Sequence, residues 1–342
     1  AQSEYDTGYA ISTKYLQKQG VCAAVGLLAM YAFSRIPVKL WYRLAWWLYG
    51  AGIVLLLLVL VAGQEVNGAR RWITIAGIQF QPSEVAKFTM IVLFARLTRR
   101  FGQDAKKFRF GVLGFSAALL GILVPLALEK HLSAIMLMGM VAVVMMFVAG
   151  TNPKWLLAGA GAAAVFVVVY IRFMGYAGDR VTAWLHPEAD PGDTGYQILQ
   201  SLYAIGSGGV FGLGFGKSRQ KYLYLPFQYN DYIFAICCEE LGLLGALAII
   251  ALFAATIFRG YWIALHGADR FSTVLASGLV TLIAVQTILN LCVVTNLLPS
   301  TGIALPFFSY GGTALAVNLG EMGIVLQISR YRNHRKIQEE PL

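Results

Sequence analysis

The feature that most limits what this chain can become is a succession of long apolar runs separated by short connections. They lie near 19–35, 44–63, 82–98, 110–128, 132–150, 153–173, 231–258, 271–297 and 306–329. About 20 apolar residues wound as a helix cross the hydrocarbon layer of a bilayer, and several of these runs are uncharged over that length. Too little polar chain is left between them for a separate soluble core. Hydrophobic residues make up 58% of the 342 and charged ones only 13%, which sets the chain apart from an ordinary soluble domain. The sequence therefore predicts an all-α, polytopic membrane protein. It reads as a single integral domain over 1–342 with nine membrane helices and one large loop at 175–230, ahead of a helix that starts near Asp231.

A net charge of +10 suits nucleic acid or an anionic membrane surface, and the placement of the 27 basic residues separates the two. Sixteen of them fall on the side of the C-terminal tail, within 35–43, 96–109, 154, 259–270 and 330–336. That asymmetry marks a cytoplasmic face, so the tail is expected inside and the N-terminal segment and long loop outside, with no nucleic-acid partner. The chain opens at Ala1 on a polar exterior segment with neither Met nor signal peptide, and a leading helix is expected to be missing. Cys22, Cys237, Cys238 and Cys292 all lie in apolar runs without metal or redox spacing and read as small core residues.

Three segments predicted to face outside carry most of the polar information. In the first, Arg70 and Arg71 precede Gln81-Pro82-Ser83-Glu84-Val85-Ala86-Lys87. Pro82 suits a first helical turn, which puts Glu84 and Lys87 on one face, three residues apart. They read either as a buried ion pair or, with the arginines, as the lining of a cavity for a phosphorylated lipid. The second segment is glycine-rich and ends in Gly216-Lys217-Ser218, but a Walker A loop would need Gly where Phe211 stands. Its glycines instead predict tight turns and close backbone approach. Lys217, Arg219 and Lys221 alternate, and in extended chain they would share one face toward a headgroup phosphate or solvent.

In the third segment Asp231 leads into a helix carrying Glu239 and Glu240 roughly 12 Å deeper, at about 1.5 Å per residue. Asp231 therefore reads as a general base, a metal ligand or a helix cap, but not as half of a close carboxylate pair. Paired prolines and glycines over 298–312, around Ser309, predict a broken or re-entrant entry to the last helix, bordering the same cavity. Glu321 lies deep in that helix with no partner legible in the sequence. His131, His186, His266 and His334 are scattered and form no catalytic or metal motif.

Taken in order, these segments resemble the SEDS family of bacterial shape, elongation, division and sporulation proteins, which groups RodA, FtsW and SpoVE. The resemblance is carried by Gly68-Ala69-Arg70-Arg71-Trp72, Gln81-Pro82-Ser83-Glu84-Val85-Ala86-Lys87, Asp193-Thr194-Gly195-Tyr196-Gln197 with Gln200-Ser201, the run 204–209, Asp231-Tyr232-Ile233-Phe234-Ala235, Glu239-Glu240-Leu241-Gly242 and the run 306–312. It implies a ten-helix protein with both ends cytoplasmic, of which nine helices are seen here. It implies a peptidoglycan glycosyltransferase that polymerises lipid II at the outer face of the bacterial cytoplasmic membrane, in division, elongation or sporulation. A class B penicillin-binding protein is the implied transpeptidase partner.

Asp231 falls on the family's essential aspartate. Where many members have His-Thr before it, this chain has Tyr229-Asn230; where many have an acidic Asp-Leu-Gly segment, it has Glu129-Lys130-His131-Leu132-Ser133, so neither role is carried over. The chemistry requires a base near the attacking hydroxyl and positive charge near the leaving diphosphate. Asp231 is the expected base. Arg70, Arg71, Lys87, Lys217 and Arg219 are the expected cations, with Glu84 paired to Lys87 and Ser309 as a further substrate contact. A divalent cation, magnesium or manganese, would bridge Asp231 and phosphate, and no organic cofactor is expected. The competing readings are a lipid II flippase, which Glu240 and Glu321 favour, and a non-catalytic scaffold for the penicillin-binding partner.

Overall fold

The computed structural model describes residues 8–66, 69–75, 78–161, 182–189, 194–221, 225 and 229–339. Helix α1 (Gly8–Phe33) and α2 (Val38–Ala62) are joined by a turn ending at Pro37, which occupies the α2 N-cap. A small antiparallel sheet follows, with strands β1 (Gln64–Val66), β2 (Ala69–Ile75) and β3 (Ile78–Phe80) in that order. Val66 pairs with Ala69 and Ile75 with Ile78, so both connections are of two residues. The sheet departs from the all-α expectation. Its signal was present in the β-branched and aromatic run Trp72-Ile73-Thr74-Ile75 behind an Asn-Gly pair.

Helix α3 (Pro82–Phe101) starts with Pro82 in its first turn, as predicted, and runs through the middle of the molecule. Met90 to Ala95 are all 1% exposed or less, so this helix meets other helices on every side. A π-helical turn at Arg109–Gly114 continues into α4 (Phe115–Leu128), and α5 (Leu132–Val148) returns. Residues 153–161 are helical; the rest of the run expected to 173 lies outside the described residues. Within the long loop, α6 (Thr194–Ser207) is a short helix. Three long helices close the chain: α7 (Ile233–Leu265), α8 (Arg270–Val294) and α9 (Gly312–Glu339). The last begins at Gly312 rather than 306, because Phe307 has positive φ and Leu305 to Ser309 close a turn.

Among the described residues, four helical runs are long and apolar enough to cross a membrane: Val38–Ala62, Arg109–Leu128, Ile233–Leu265 and Arg270–Val294. Their outer faces carry exposed Val54, Val61, Leu252 and Phe258, which only lipid would solvate favourably. Inside, small residues let helices approach. A Cβ on Gly323 of α9 would lie 2.3 Å from the Met30 carbonyl of α1, so that contact depends on glycine. The starts of α3, α5, α7 and α9 and the ends of α4 and α8 share one side with the sheet. The opposite side, toward the C-terminal tail, carries the ends of α3 and the starts of α2 and α8.

Candidate active site

Asp231 stands one residue before the α7 N-cap, which is Tyr232 and makes no side-chain cap bond. Its position is held from several directions. The buried Asn290 of α8 donates from Nδ2 to the Asp231 carbonyl (2.7 Å) and to that of Ile303 (2.8 Å), tying the head of α7 to the 299–311 segment. Ser309 Oγ donates to the Asn230 carbonyl (2.5 Å) and accepts from the Leu305 N–H (2.8 Å), and the Tyr310 N–H donates to Tyr229. The Ser309 hydroxyl is therefore committed to the fold rather than turned to a substrate. Gly302 has φ 69°, and a Cβ there would sit 3.4 Å from Asp231 Oδ2, so the carboxylate borders this glycine. An asparagine inside the apolar run Leu289-Asn290-Leu291 was the overlooked sequence signal.

Helix α7 is broken at Gly242, whose φ of 67° and ψ of −167° belong to glycine alone. Such a break strands the carbonyls before it and the N–H groups after it. The glycine-rich loop supplies both sets of partners. Leu213 and Gly214 N–H donate to the Glu239 and Glu240 carbonyls, and Leu243 and Leu244 N–H donate to Gly209 and Val210. This backbone contact leaves no room for side chains, since a Cβ on Gly208 or Gly212 would lie 2.1 or 2.2 Å from α7 backbone. The close approach predicted from these glycines is thus to a helix and not to a phosphate.

Both glutamates complete the clamp. Glu240 accepts from Gly216 N–H (2.8 Å), Ser218 N–H (3.2 Å) and Lys221 Nζ (2.9 Å). Buried Glu239 accepts from the Ser218 hydroxyl and from Arg219 N–H (2.9 Å) and Gln220 N–H (3.3 Å). Lys221 is turned inward by this pairing, so the expected cationic face of 217, 219 and 221 does not form. Lys217 and Arg219 remain exposed on the loop.

The third group gathers around β2. Successive strand residues face opposite ways, and Arg70 is exposed, reaching the Leu60 carbonyl (3.4 Å), while half-buried Arg71 turns to the turn between α4 and α5. There Arg71 donates to the carbonyls of Glu129 and Lys130. This turn, given no role from sequence, is tied to the Asp231 neighbourhood, because Ser133 Oγ donates to the carbonyl of Thr301, beside Gly302. Glu129 is 2% exposed, and its carboxyl oxygens have no hydrogen-bond partner among the described residues. Burial pushes its pKa up to about 8, with Arg71 opposing, so Glu129 is largely protonated at neutral pH. His131 is pushed down to about 3 by burial and then by the charges of Arg71 and Lys87, and it is neutral.

Beneath them, Glu84 and Lys87 form the predicted ion pair at 2.8 Å, with both side chains 10% exposed or less. Glu321 finds its electrostatic neighbours here: Lys87 attracts it and Glu84 repels it. A cavity of about 550 Å³ lies alongside, between α1, α2, α3 and α9, lined by apolar groups such as Val21, Phe80, Val85 and Val317, with Glu321 at its wall.

Fold and site together define a multi-pass membrane protein with a carboxylate at the mouth of a helix and an apolar cavity among its helices. Residues 2–334 match the cell cycle protein family of FtsW, RodA and SpoVE, and the chain belongs to that family. The probable peptidoglycan glycosyltransferase FtsW of Geobacter sulfurreducens is 39% identical over 317 residues, covering 92% of this chain and 85% of that protein. Stage V sporulation protein E of Bacillus subtilis is 36% identical, with coverage of 94% and 88%. Among solved structures, one of a peptidoglycan synthase complex, described as coordinating polymerization and crosslinking, contains a chain of TM-score 0.82 and 29% identity, covering 95% of this chain and 92% of that one. The rod shape determining protein RodA of Thermus thermophilus matches at TM-score 0.68 and 27% identity, with coverage of 93% and 88%.

Proposed function

We propose that this chain is a peptidoglycan glycosyltransferase that polymerises lipid II, with Asp231 as general base. The observation that carries the reading is the construction around Asp231: a carboxylate at the mouth of α7 beside Gly302, on a residue whose backbone carbonyl is held by Asn290, within a family whose relatives bear that activity in their names. A sugar hydroxyl of one substrate attacks the anomeric carbon of the other. Its proton passes to the Asp231 carboxylate as the new C–O bond forms. The bond to the lipid diphosphate breaks, and the diphosphate leaves with the electron pair. Arg71 and Arg70, with Lys217 and Arg219 from the loop, supply positive charge for that leaving group. The apolar cavity suits the prenyl tail of a lipid-linked sugar.

Among the described residues no three His, Cys, Asp or Glu side chains gather to hold a metal. Asp231 would contribute one ligand, and a magnesium or manganese ion would have to arrive with the diphosphate; no step is assigned through it. The basic residues support a cytoplasmic C-terminal tail and a site outside, and membership of the family supports the bacterial cytoplasmic membrane. A class B penicillin-binding protein is the partner we infer, by analogy with the synthase complex.

Glycan synthesis from purified lipid II by wild type and Asp231→Asn tests the assignment. A loss of at least 100-fold is expected, and undiminished polymerisation in the variant overturns it. Lipid II transport is favoured by one observation, Glu321 at the wall of the cavity. Headgroup translocation in liposomes without polymer would establish it in place of the polymerase.

A further inference from the structure

On the tail side of the molecule a second cavity, of about 520 Å³, opens between the ends of α2, α3 and α8. Lys39, Tyr42, Arg99, Asp269 and Ser272 give it a polar rim, while Val38, Phe271 and Ile328 give it an apolar floor. Tyr42 organises the charge. The guanidinium of Arg96 lies 4.8 Å and that of Arg99 4.9 Å from the centre of its ring. Arg96 also donates to the carbonyls of Tyr42 (2.7 Å) and Arg43 (3.0 Å) and pairs with no carboxylate among the described residues. Lys39 is exposed and makes no ion pair among the described residues.

Asp269 is the one acid on the rim, and its charge is already used. Oδ1 caps α8 by accepting from the Ser272 N–H and hydroxyl, and Oδ2 accepts from Arg99 at 3.0 Å. The remaining charge of the pocket is positive. Its depth is set by the elements that form it: Lys39 lies in the first turn of α2, Arg99 in the last turn of α3, and Asp269 at the α8 N-cap. Trp46 and Trp47, 44% and 79% exposed, lie two turns further along α2, where aromatic side chains mark the membrane interface.

A rim of cations at headgroup height over an apolar floor matches an amphiphile with a phosphate head. We propose that this pocket binds one anionic phospholipid from the tail-side leaflet, its phosphate between Lys39 and Arg99 and its glycerol and first methylenes against Val38 and Ile328. The inference uses the orientation argued above but no part of the proposed reaction.

Native mass spectrometry of the full chain, supplied with phosphatidylglycerol, phosphatidylcholine or inorganic phosphate, tests it without any activity readout. One phosphatidylglycerol is expected to be retained in preference to phosphatidylcholine. Lys39→Gln removes one rim cation and is expected to lower retention about fivefold. Asp269→Asn keeps the helix cap but removes the acid, and is expected to raise retention severalfold. Misfolding would lower both variants together, so a rise in one and a fall in the other identifies the charged pocket. Equal retention of the two lipids, the same change in both variants, or displacement of phosphatidylglycerol by millimolar inorganic phosphate would overturn the lipid assignment.

Discussion

Glu239 is the residue whose removal most directly tests how the glycine-rich loop is held. It is 1% exposed and accepts three hydrogen bonds from one short stretch of loop, of which Ser218 is itself fully buried. In Glu239→Ala these three donors lose their acceptor inside the protein. A buried donor left without a partner costs ~1–3 kcal/mol. The three share one environment and do not add fully, so ~3 kcal/mol is a reasonable total. That shifts the docked loop toward an open form by about 150-fold. Amide hydrogen exchange reads this directly, because Leu213, Gly214, Gly216, Ser218, Arg219 and Gln220 all donate N–H bonds to Glu239 or Glu240. Exchange over 213–220 should accelerate about 100-fold in the alanine variant and less in Glu239→Gln, which keeps one acceptor oxygen. Peptides from α8 should not change. Wild-type protection of the loop in Glu239→Ala would refute the clamp, as would an equal acceleration in α8.

Three further outcomes follow from the same geometry. Gly302→Ala imposes a positive-φ strain of ~1–2 kcal/mol and places a methyl against the Asp231 carboxylate, so polymerisation should fall about tenfold through kcat; an unchanged kcat would disconnect Gly302 from the site. Lys87→Met leaves the buried Glu84 carboxylate without its cation, at a cost of ~3–5 kcal/mol, and the melting temperature in detergent should drop, with partial recovery on adding Glu84→Gln. Glu129 keeps its proton up to about pH 8 in the folded chain but loses it near pH 4.5 when unfolded, so stability should fall as pH rises across that interval and then level off. Glu129→Gln should remove this slope in a denaturation series. His131 has the opposite dependence, since it stays neutral in the fold down to about pH 3 while the unfolded chain takes up its proton near 6.5; stability should therefore fall as pH drops across that interval, in the variant as in the wild type.

The polar clusters show where reading the sequence stopped. Glu84 and Lys87 are three apart on one helix, and their pairing followed from that spacing alone. Glu239 and Glu240 were visible as two acids in an apolar run, yet their partners lie some 20 residues earlier and meet them only because α7 breaks at Gly242. Ser309 looked like a substrate contact until its hydroxyl was found bonded to Asn230. The turn at 129–131 looked peripheral until Arg71 and Thr301 were found bonded to it and to neighbouring Ser133. Strand β2 was hidden for another reason: seven residues between membrane helices weigh little against runs of apolar chain.

What the sequence determined by itself is the membrane character of the protein and the position of Asp231. These depend on local quantities, namely the length of an apolar run and an acid next to a helix start. Tertiary structure alone decided that Asn290 and Gly302 frame that acid, that Glu84 and Lys87 come within electrostatic reach of Glu321, and that the glycines serve a broken helix. Each of those is a meeting of residues from different helices, and a buried polar group takes whichever partner the packing brings within about 3 Å.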